Sequence, residues 1–314
     1  MRSWTESDVR ASVTLPAVID AVERVLAHEA AGRAWNLDKS MASWPAPTAD
    51  EPAARGSAHA LGAVDLDAQL AIFKTWVNTP AGASALLTLF SAAEGTTLGV
   101  AEAGTAGALR TAAVSGVATR WLAAPDADEL AVLGAGRQAL RQVEAVAAVR
   151  PLRSVRVWNR TLARAEALAE QVRDGLGLET IVAGSVADAT KDAPIVTLIT
   201  RASEPFLRAE HLAPGTHLNA VGAILPTHAE FEPALLGESA LTVVDSLPTA
   251  RRGSRELREF YGADADEWAD VRTLADVVAG SVARPCDPRC TVFKGMGMGL
   301  SDLAVAGLLT GGTS

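Results

Sequence analysis

The chain has 314 residues, 49% of them hydrophobic and 21% charged, with a formal charge of −9. At about 150 residues per domain this length allows two domains with a real core, and the acidic balance argues against a nucleic-acid or anionic-membrane partner. No apolar run is long enough for a bilayer, "MRSWTESDVR" lacks the order of a secretory signal, and the two cysteines, Cys286 and Cys290 in "CDPRC", make a poor metal site; we expect a cytoplasmic protein with no metal, no membrane and no nucleic acid.

"TLPAVIDAVERVLAHEAAG" reads as an amphipathic helix that Thr14 can cap, with Val18, Val22, Val25 and Leu26 on one face. "MASWPAPTADEPAARG" (41–56) reads as a long loop, being rich in Pro, Ala and turn residues. "AHALGAV", "LAIFKTWVN", "ALLTLFSA" and "GTTLGVAE" have strand character, and "LRTAAVSGVATRWLA" (109–123) is a helix. Beyond Pro125 strands and helices alternate. "ELAVL", "SVRVW", "ETIVAG", "APIVTLIT", "THLNAVG" and "ALTVVDS" form a set of six buried strands, with Ser185 and Asp188 in a capping pattern between the third and fourth. This alternation predicts an α/β fold, a doubly wound parallel sheet, preceded by an α+β portion. "NAVGAILPTHAEF" should end a strand, turn through an apolar loop and enter a helix boxed by Thr227 and Glu230. "CTVFKGMGMGLSDLAVAGLL" predicts a short strand, a glycine turn and a last helix that returns to the first domain.

"VLGAGRQA" places Gly134, Gly136 and Ala139 in a G-x-G-x-x-A pattern between an apolar strand and a helix. Gly134 permits the turn, Gly136 lets backbone approach a pyrophosphate, and Ala139 keeps helix and sheet close, with Arg137 and Gln138 in the same turn. The helix N-terminus then stabilises the anion. The second strand ends Asn159-Arg160-Thr161, without the carboxylate that usually holds the ribose hydroxyls of NAD. Arg160 can pair with a 2′-phosphate and Thr161 can add a hydrogen bond, so NADPH is expected over NADH; the plain alternative is a solvated arginine at a helix start. Thr197 and Thr200 in "TLIT", Val221, and Gly295 and Gly297 in "FKGMGMG" are expected beside the cofactor.

Lys74 is the single charge in an apolar strand, and Arg110 is read at a helix start beside Thr111. A buried lysine is costly unless paired, and a cation near a helix N-terminus suits a carboxylate. Together they point to a small anionic substrate; each alone can be an internal ion pair.

"FKTWVN", "AEAGTAGALRTAAVSGVATRWLA", "AVLGAGRQA", "TLIT", "NAVGA" and "TVFKGMGMGLSDLAVA" together resemble the ornithine cyclodeaminase/mu-crystallin family, in order and over most of the chain. The resemblance implies a homodimer, a substrate-binding and dimerisation domain over 1–115 with 298–314, and a Rossmann-type dinucleotide-binding domain over 116–297. It implies a nicotinamide cofactor and a small amino-acid-like substrate whose carboxylate is held by Lys74 and Arg110, with Lys39 as a further upstream cation. The cyclodeaminases use an aspartate after "NAVG"; here Ile224 stands there, which argues against deamination. Members that reduce cyclic ketimines, Δ1-pyrroline-2-carboxylate or Δ1-piperideine-2-carboxylate, suit an apolar loop and a dry site. His59, near the position of the cyclodeaminases' catalytic glutamate, is the candidate proton donor; otherwise it is a packed polar residue. Amino-acid dehydrogenase, opine-type synthase and a non-enzymatic NADPH-linked binding role stay open as alternatives.

Overall fold

The computed structural model describes residues 1–264 and 266–311; Ala265 and residues 312–314, the end of the expected 298–314 segment, lie outside the described residues. The chain divides into two compact units, Met1–Thr111 with Met298–Ser314, and Ala112–Gly297. The first boundary falls at Thr111, inside a helix. In chain order the elements are β1 (Arg2–Trp4), α1 (Glu6–Ser12), α2 (Leu15–Ala30), β2 (Ala34–Pro45), β3 (Arg55–Asp65), β4 (Leu70–Thr79), β5 (Gly82–Ser91), β6 (Thr97–Glu102) and α3 (Gly104–Leu122). There follow β7 (Glu129–Leu133), α4 (Ala139–Ala147), β8 (Ser154–Trp158), α5 (Leu162–Leu176), β9 (Glu179–Val182), α6 (Val186–Thr190), β10 (Ile195–Leu198), β11 (Thr216–Ala220) and β12 (Ser239–Val244). The last are α7 (Leu247–Gly253), α8 (Arg255–Tyr261), β13 (Arg272–Thr273), α9 (Leu274–Val278), β14 (Cys290–Lys294) and α10 (Gly299–Thr310), with short 3-10 turns between some of them.

Unit one is a six-stranded sheet ordered β1-β6-β5-β4-β3-β2, antiparallel from β2 to β6 with β1 parallel to β6. Strand β4, "LAIFKTWVNT", shows why a pleat sorts residues. Ile72 and Lys74 are buried on one face, while Phe73, Thr75 and Val77 are exposed on the other. Helices α2 and α10 cover the buried face. Helix α10 comes in close, since a methyl group at Gly299 would stand 2.2 Å from the Gly62 carbonyl oxygen, and Asn36 Oδ1 accepts from Leu300 N at 3.0 Å. His28, on α2, points both ring nitrogens at carboxylates of the β3–β4 turn, Asp65 at 2.8 Å and Asp67 at 3.4 Å. Strand β2 runs through Trp44 to Pro45, so only residues 46–54 remain of the loop expected over 41–56. Its proline is tolerated because β2 is an edge strand. Thr14 stands at the N-cap of α2 but makes no side-chain capping bond.

Unit two holds an eight-stranded, wholly parallel sheet ordered β13-β12-β14-β11-β10-β7-β8-β9. The expected six strands are present, but β14 inserts between β11 and β12, β13 adds an edge, and β9 is only partly buried. Alternate residues feed two cores. Leu130, Val132, Val155, Val157 and Ile195 pack with Ala139, Val143 and Leu168. Leu133, Val196 and Leu198 turn the other way, towards Phe231 and Trp268. Each fully buried Leu or Val contributes about 1.5–3 kcal/mol relative to exposure. Strand order reverses between β7 and β10, which is where open α/β sheets bind ligands. Among the described residues no helix is long and apolar enough to cross a membrane. Cys286 is exposed and Cys290 buried, its thiol pushed up to about 11 by burial.

Candidate active site

Lys74, on the buried face of β4, donates from Nζ to Asp302 Oδ1 at 2.8 Å. Arg110 Nε lies 3.5 Å from the same oxygen, near enough for charge attraction but without a hydrogen bond. The Lys39 ammonium stands over the Trp76 ring, 5.1 Å from its centroid. His59 stacks on that same ring, with centroids 4.6 Å apart, and its Nε2 meets Ser57 Oγ at 2.9 Å. The cluster therefore gathers three cations, one carboxylate and one imidazole within unit one. Lys74, His59 and Trp76 share a face because β3 and β4 pair Leu61 with Lys74 and His59 with Trp76.

Burial lowers the Lys74 pKa; Asp302 pulls it back up and Arg110 pushes it further down. Loss of water around the Lys39 ammonium lowers its pKa, as do Arg110 and Lys74. Burial, then Lys39, also lowers His59. Three polar atoms here are buried without a hydrogen-bond partner: Asp302 Oδ2, Arg110 Nε and His59 Nδ1. An anionic guest can answer the cationic one, Arg110 Nε.

The sequence reading set Arg110 at a helix start, and the structure corrects this. Helix α3 begins at Gly104, so Arg110 sits in its second turn. The reason is tertiary: the Glu6 carboxylate accepts from Gly104 N at 2.6 Å and Thr105 N at 2.7 Å, capping the helix early. Thr111 spends its hydroxyl proton on Gly107 O, at 2.8 Å. Asp302 was not anticipated. The available signal was the one that marked Lys74, a lone charge in an otherwise apolar element, "GLSDLAVAGLLT".

In unit two the turn after β7 has the conformation its glycines suggest. Gly134 adopts φ +118°, and a Cβ there would stand 2.7 Å from Ile199 O. Gly136 has no atom within 4 Å of where a Cβ would be, so its backbone faces open space. That open cradle fits a dinucleotide pyrophosphate. Ala139 is fully buried at the start of α4. Asn159 Oδ1 accepts from Ala135 N at 3.2 Å, and its Nδ2 donates to Thr161 O, tying the end of β8 to the glycine turn. Thr161 is at the N-cap of α5 but makes no side-chain capping bond. Arg137 and Arg160 are exposed, and Gln138 is half-buried.

Thr197 is the penultimate residue of β10, fully buried between Val132 and Asn219. One expectation for the neighbouring loops changes. No α-helix opens at Thr227 after "NAVGAILPT", where only a 3-10 helix, Pro233–Glu238, follows; Glu230 closes no capping box and is instead fully buried. Its Oε1 accepts from Thr200 N and Oγ1 at 2.6 and 2.8 Å, its Oε2 from Gly222 N and Ala223 N at 2.9 Å each. Burial pushes this carboxyl up, against Lys294 and the N–H donors of Thr200 and Ala223. Lys294 Nζ donates to Ala223 O at 2.7 Å and to Glu256 at 3.0 Å, and Asp245 accepts from Met296 N and Gly297 N. Gly295 N donates to Ala220 O, next to Val221. Three buried acids thus hold the loops after β10, β11 and β14. Local pattern could not have found them, since the partners that include Thr200, Lys294 and Met296 lie 30 to 51 residues away in sequence. Ile224 and Leu225 remain exposed at 44% and 49%. His228 Nδ1 meets Thr227 Oγ1, at 3.0 Å, and His217, within β11, is buried and neutral with a pKa of about 3.

A model of the ornithine cyclodeaminase/mu-crystallin family matches residues 5–311. The ketimine reductase mu-crystallin of Rattus norvegicus is 37% identical over 221 residues, which cover 70% of this chain and 67% of the relative. A Δ1-pyrroline-2-carboxylate reductase of Bacillus cereus is 34% identical over 200 residues, covering 63% of this chain and 61% of that protein. Among solved structures, the Thermococcus litoralis Δ1-pyrroline-2-carboxylate reductase in complex with NADH and L-proline superposes with a TM-score of 0.89 at 27% identity, over 99% of this chain and 97% of that one.

Proposed function

The chain belongs to the ornithine cyclodeaminase/mu-crystallin family, and on that premise we propose that it is a nicotinamide-dependent oxidoreductase. Its reaction is the reduction of a small cyclic imino acid, Δ1-pyrroline-2-carboxylate or Δ1-piperideine-2-carboxylate, to L-proline or L-pipecolate. The observation that carries this reading is the composition of the unit-one cluster. Lys39, Lys74 and Arg110 supply charge for a carboxylate, while the one acid among them, Asp302, is fully buried and already paired. At the position where the family's cyclodeaminases use an aspartate, Ile224 can supply neither charge nor proton. The described residues of this cluster offer no solvent-exposed acid to a substrate amine, so an imine already formed suits them better than a diamine awaiting deamination.

The reduced nicotinamide, when bound, supplies the hydride for the C=N carbon. Lys74 and Arg110 bind and orient the carboxylate, which fixes the adjacent C=N bond. Burial and the Lys39 ammonium keep His59 neutral near pH 7. That favours a substrate arriving protonated on nitrogen, with His59 as a hydrogen-bonding neighbour. An assay of NADPH and NADH consumption over five- and six-membered cyclic imino acids tests the proposal, with ornithine and with keto acids plus amines as controls. Turnover of the controls alone would overturn it.

For the cofactor, Gly134 to Ala139 would hold the pyrophosphate. Thr200, Val221, Gly295 and Gly297 would lie towards the nicotinamide. NADPH is the preferred form on this reading, because β8 ends without a carboxylate and Arg160 is exposed beside the glycine turn. Arg160→Ala is expected to raise the KM for NADPH roughly tenfold, about 1.4 kcal/mol, and to leave that for NADH unchanged. An unchanged NADPH KM, or an equal preference for both cofactors in the native protein, would refute the assignment.

A homodimer is proposed from the outward face of the unit-one sheet. Trp35, Leu37, Phe73, Val77 and Leu86 lie exposed there, and apolar side chains grouped on one face suit a protein–protein contact. A shallow depression of about 580 Å³, bordered by Ala58, Thr75, Val77 and Leu86 of this face and also by His59 and Trp76, is not lined by Lys74, Arg110 or Asp302. Light scattering should give a dimer mass, and Phe73→Glu should reduce it to the monomer. A native protein that is monomeric at micromolar concentration would end this proposal.

A further inference from the structure

We propose that Asp302, on the C-terminal helix, is the positioning residue of the carboxylate clamp: it holds Lys74 charged and aimed, and it does so through a helix seated for that purpose. The inference deepens the reading of Lys74 and Arg110 as the substrate-carboxylate pair and rests on it.

Three observations converge. The first is distance in sequence against distance in space. Lys74 and Asp302 are 228 residues apart, yet Nζ and Oδ1 are 2.8 Å apart, and the same oxygen draws Arg110 Nε to 3.5 Å. One oxygen thereby fixes the spacing of two cations from two different elements, β4 and α3. The second is seating. Gly299 allows α10 to meet the β3 backbone at Gly62, and Asn36 Oδ1 takes the Leu300 N–H. Asp302 follows within the first turn, where the positive end of the helix favours a carboxylate. The third is the charge balance. Facing Lys74 are Asp302 from α10 and Arg110 from α3, with Lys39 from β2 and His59 from β3 around the shared Trp76. With no carboxylate in that set, burial and the neighbouring Arg110 would both act to strip the proton from Lys74. A neutral amine would hold the substrate carboxylate poorly. One acid against three cations keeps Lys74 protonated and still leaves the cluster positive. Asp302 has no exposed surface, so it acts through Lys74 and Arg110 and not by touching substrate.

The test needs no turnover. The chain contains only four lysines, Lys39, Lys74, Lys191 and Lys294, so Lys74 can be followed by carbon-13 NMR of labelled lysine side chains. In Asp302→Asn its titration should fall by about two units or more, a roughly hundredfold gain in the neutral form at a given pH. The alkaline limb of kcat/KM for Δ1-pyrroline-2-carboxylate should move down with it, while the KM for NADPH stays unchanged. Asp302→Glu should restore the Lys74 titration but not the aim, leaving a raised substrate KM. A Lys74 titration within about half a unit of the native value in Asp302→Asn would overturn the proposal. If that variant does not fold, an Asp302→Glu protein with native substrate KM would overturn it equally. Failure of every imine as substrate would count against the proposed reaction, and the NMR titration would still decide the role of Asp302.

Discussion

Arg110→Ala should lower kcat/KM for the cyclic imino acid by roughly 30-fold to several thousand-fold, with cofactor affinity unchanged. Truncating one member of a buried, charge-bearing recognition pair typically costs about 2–5 kcal/mol. The site gives reason to expect a full effect. Arg110 Nε is buried with no hydrogen-bond partner, so a bound carboxylate would complete it. Lys74→Ala should cost at least as much activity, and unlike Arg110→Ala it should also lower thermal stability. Lys74 holds the hydrogen bond to Asp302, and removing it leaves a buried carboxylate with only the more distant Arg110. Steady-state kinetics beside thermal unfolding separate the two. Values of kcat/KM within about threefold of native for Arg110→Ala, less than about 1 kcal/mol, would remove Arg110 from the site.

The second large effect is expected at the glycine turn, where two glycines of one motif should respond differently. Gly134→Ala places a side chain at φ +118° and its Cβ 2.7 Å from a carbonyl oxygen. Backbone strain of this kind costs about 1–3 kcal/mol before the clash is added. The turn must shift, so both stability and dinucleotide binding should fall, binding by roughly tenfold or more. Gly136→Ala meets nothing within 4 Å and requires no unusual φ. It should leave thermal unfolding where it is and weaken only NADPH binding, by filling the space a pyrophosphate would use. Titration of cofactor fluorescence checks both variants. If Gly136→Ala bound NADPH as the native protein does, the pyrophosphate would have to lie elsewhere.

Much of the candidate site was legible in the sequence where a residue contradicts its own neighbourhood. Lys74 is a lone charge in an apolar strand, and the glycines of "VLGAGRQA" follow an apolar strand and open a helix; both kinds of signal are local. Periodicity also carried the alternation of unit two, because a strand buried on both faces must be apolar along its length. The family resemblance came from the same segments, read in order.

What only the tertiary structure decided is who meets whom. Asp302 reaches Lys74 because α10 folds back onto β3 and β4, and no local pattern encodes that return with its register. Arg110 lies in the second turn of α3 because Glu6, nearly a hundred residues earlier, caps the helix. Glu230 looked like a helix cap because Thr227 precedes it by three; it is a buried acceptor for backbone and hydroxyl donors of Thr200, Gly222 and Ala223. The position of β14 between β11 and β12 is likewise a pairing choice among strands of similar composition. Sequence alone determined which side chains can carry chemistry and which segments must be buried, since those follow from residue type and spacing. The partners of each buried charge were settled by packing, because a charge removed from water takes whichever donor or acceptor the fold brings within about 3 Å.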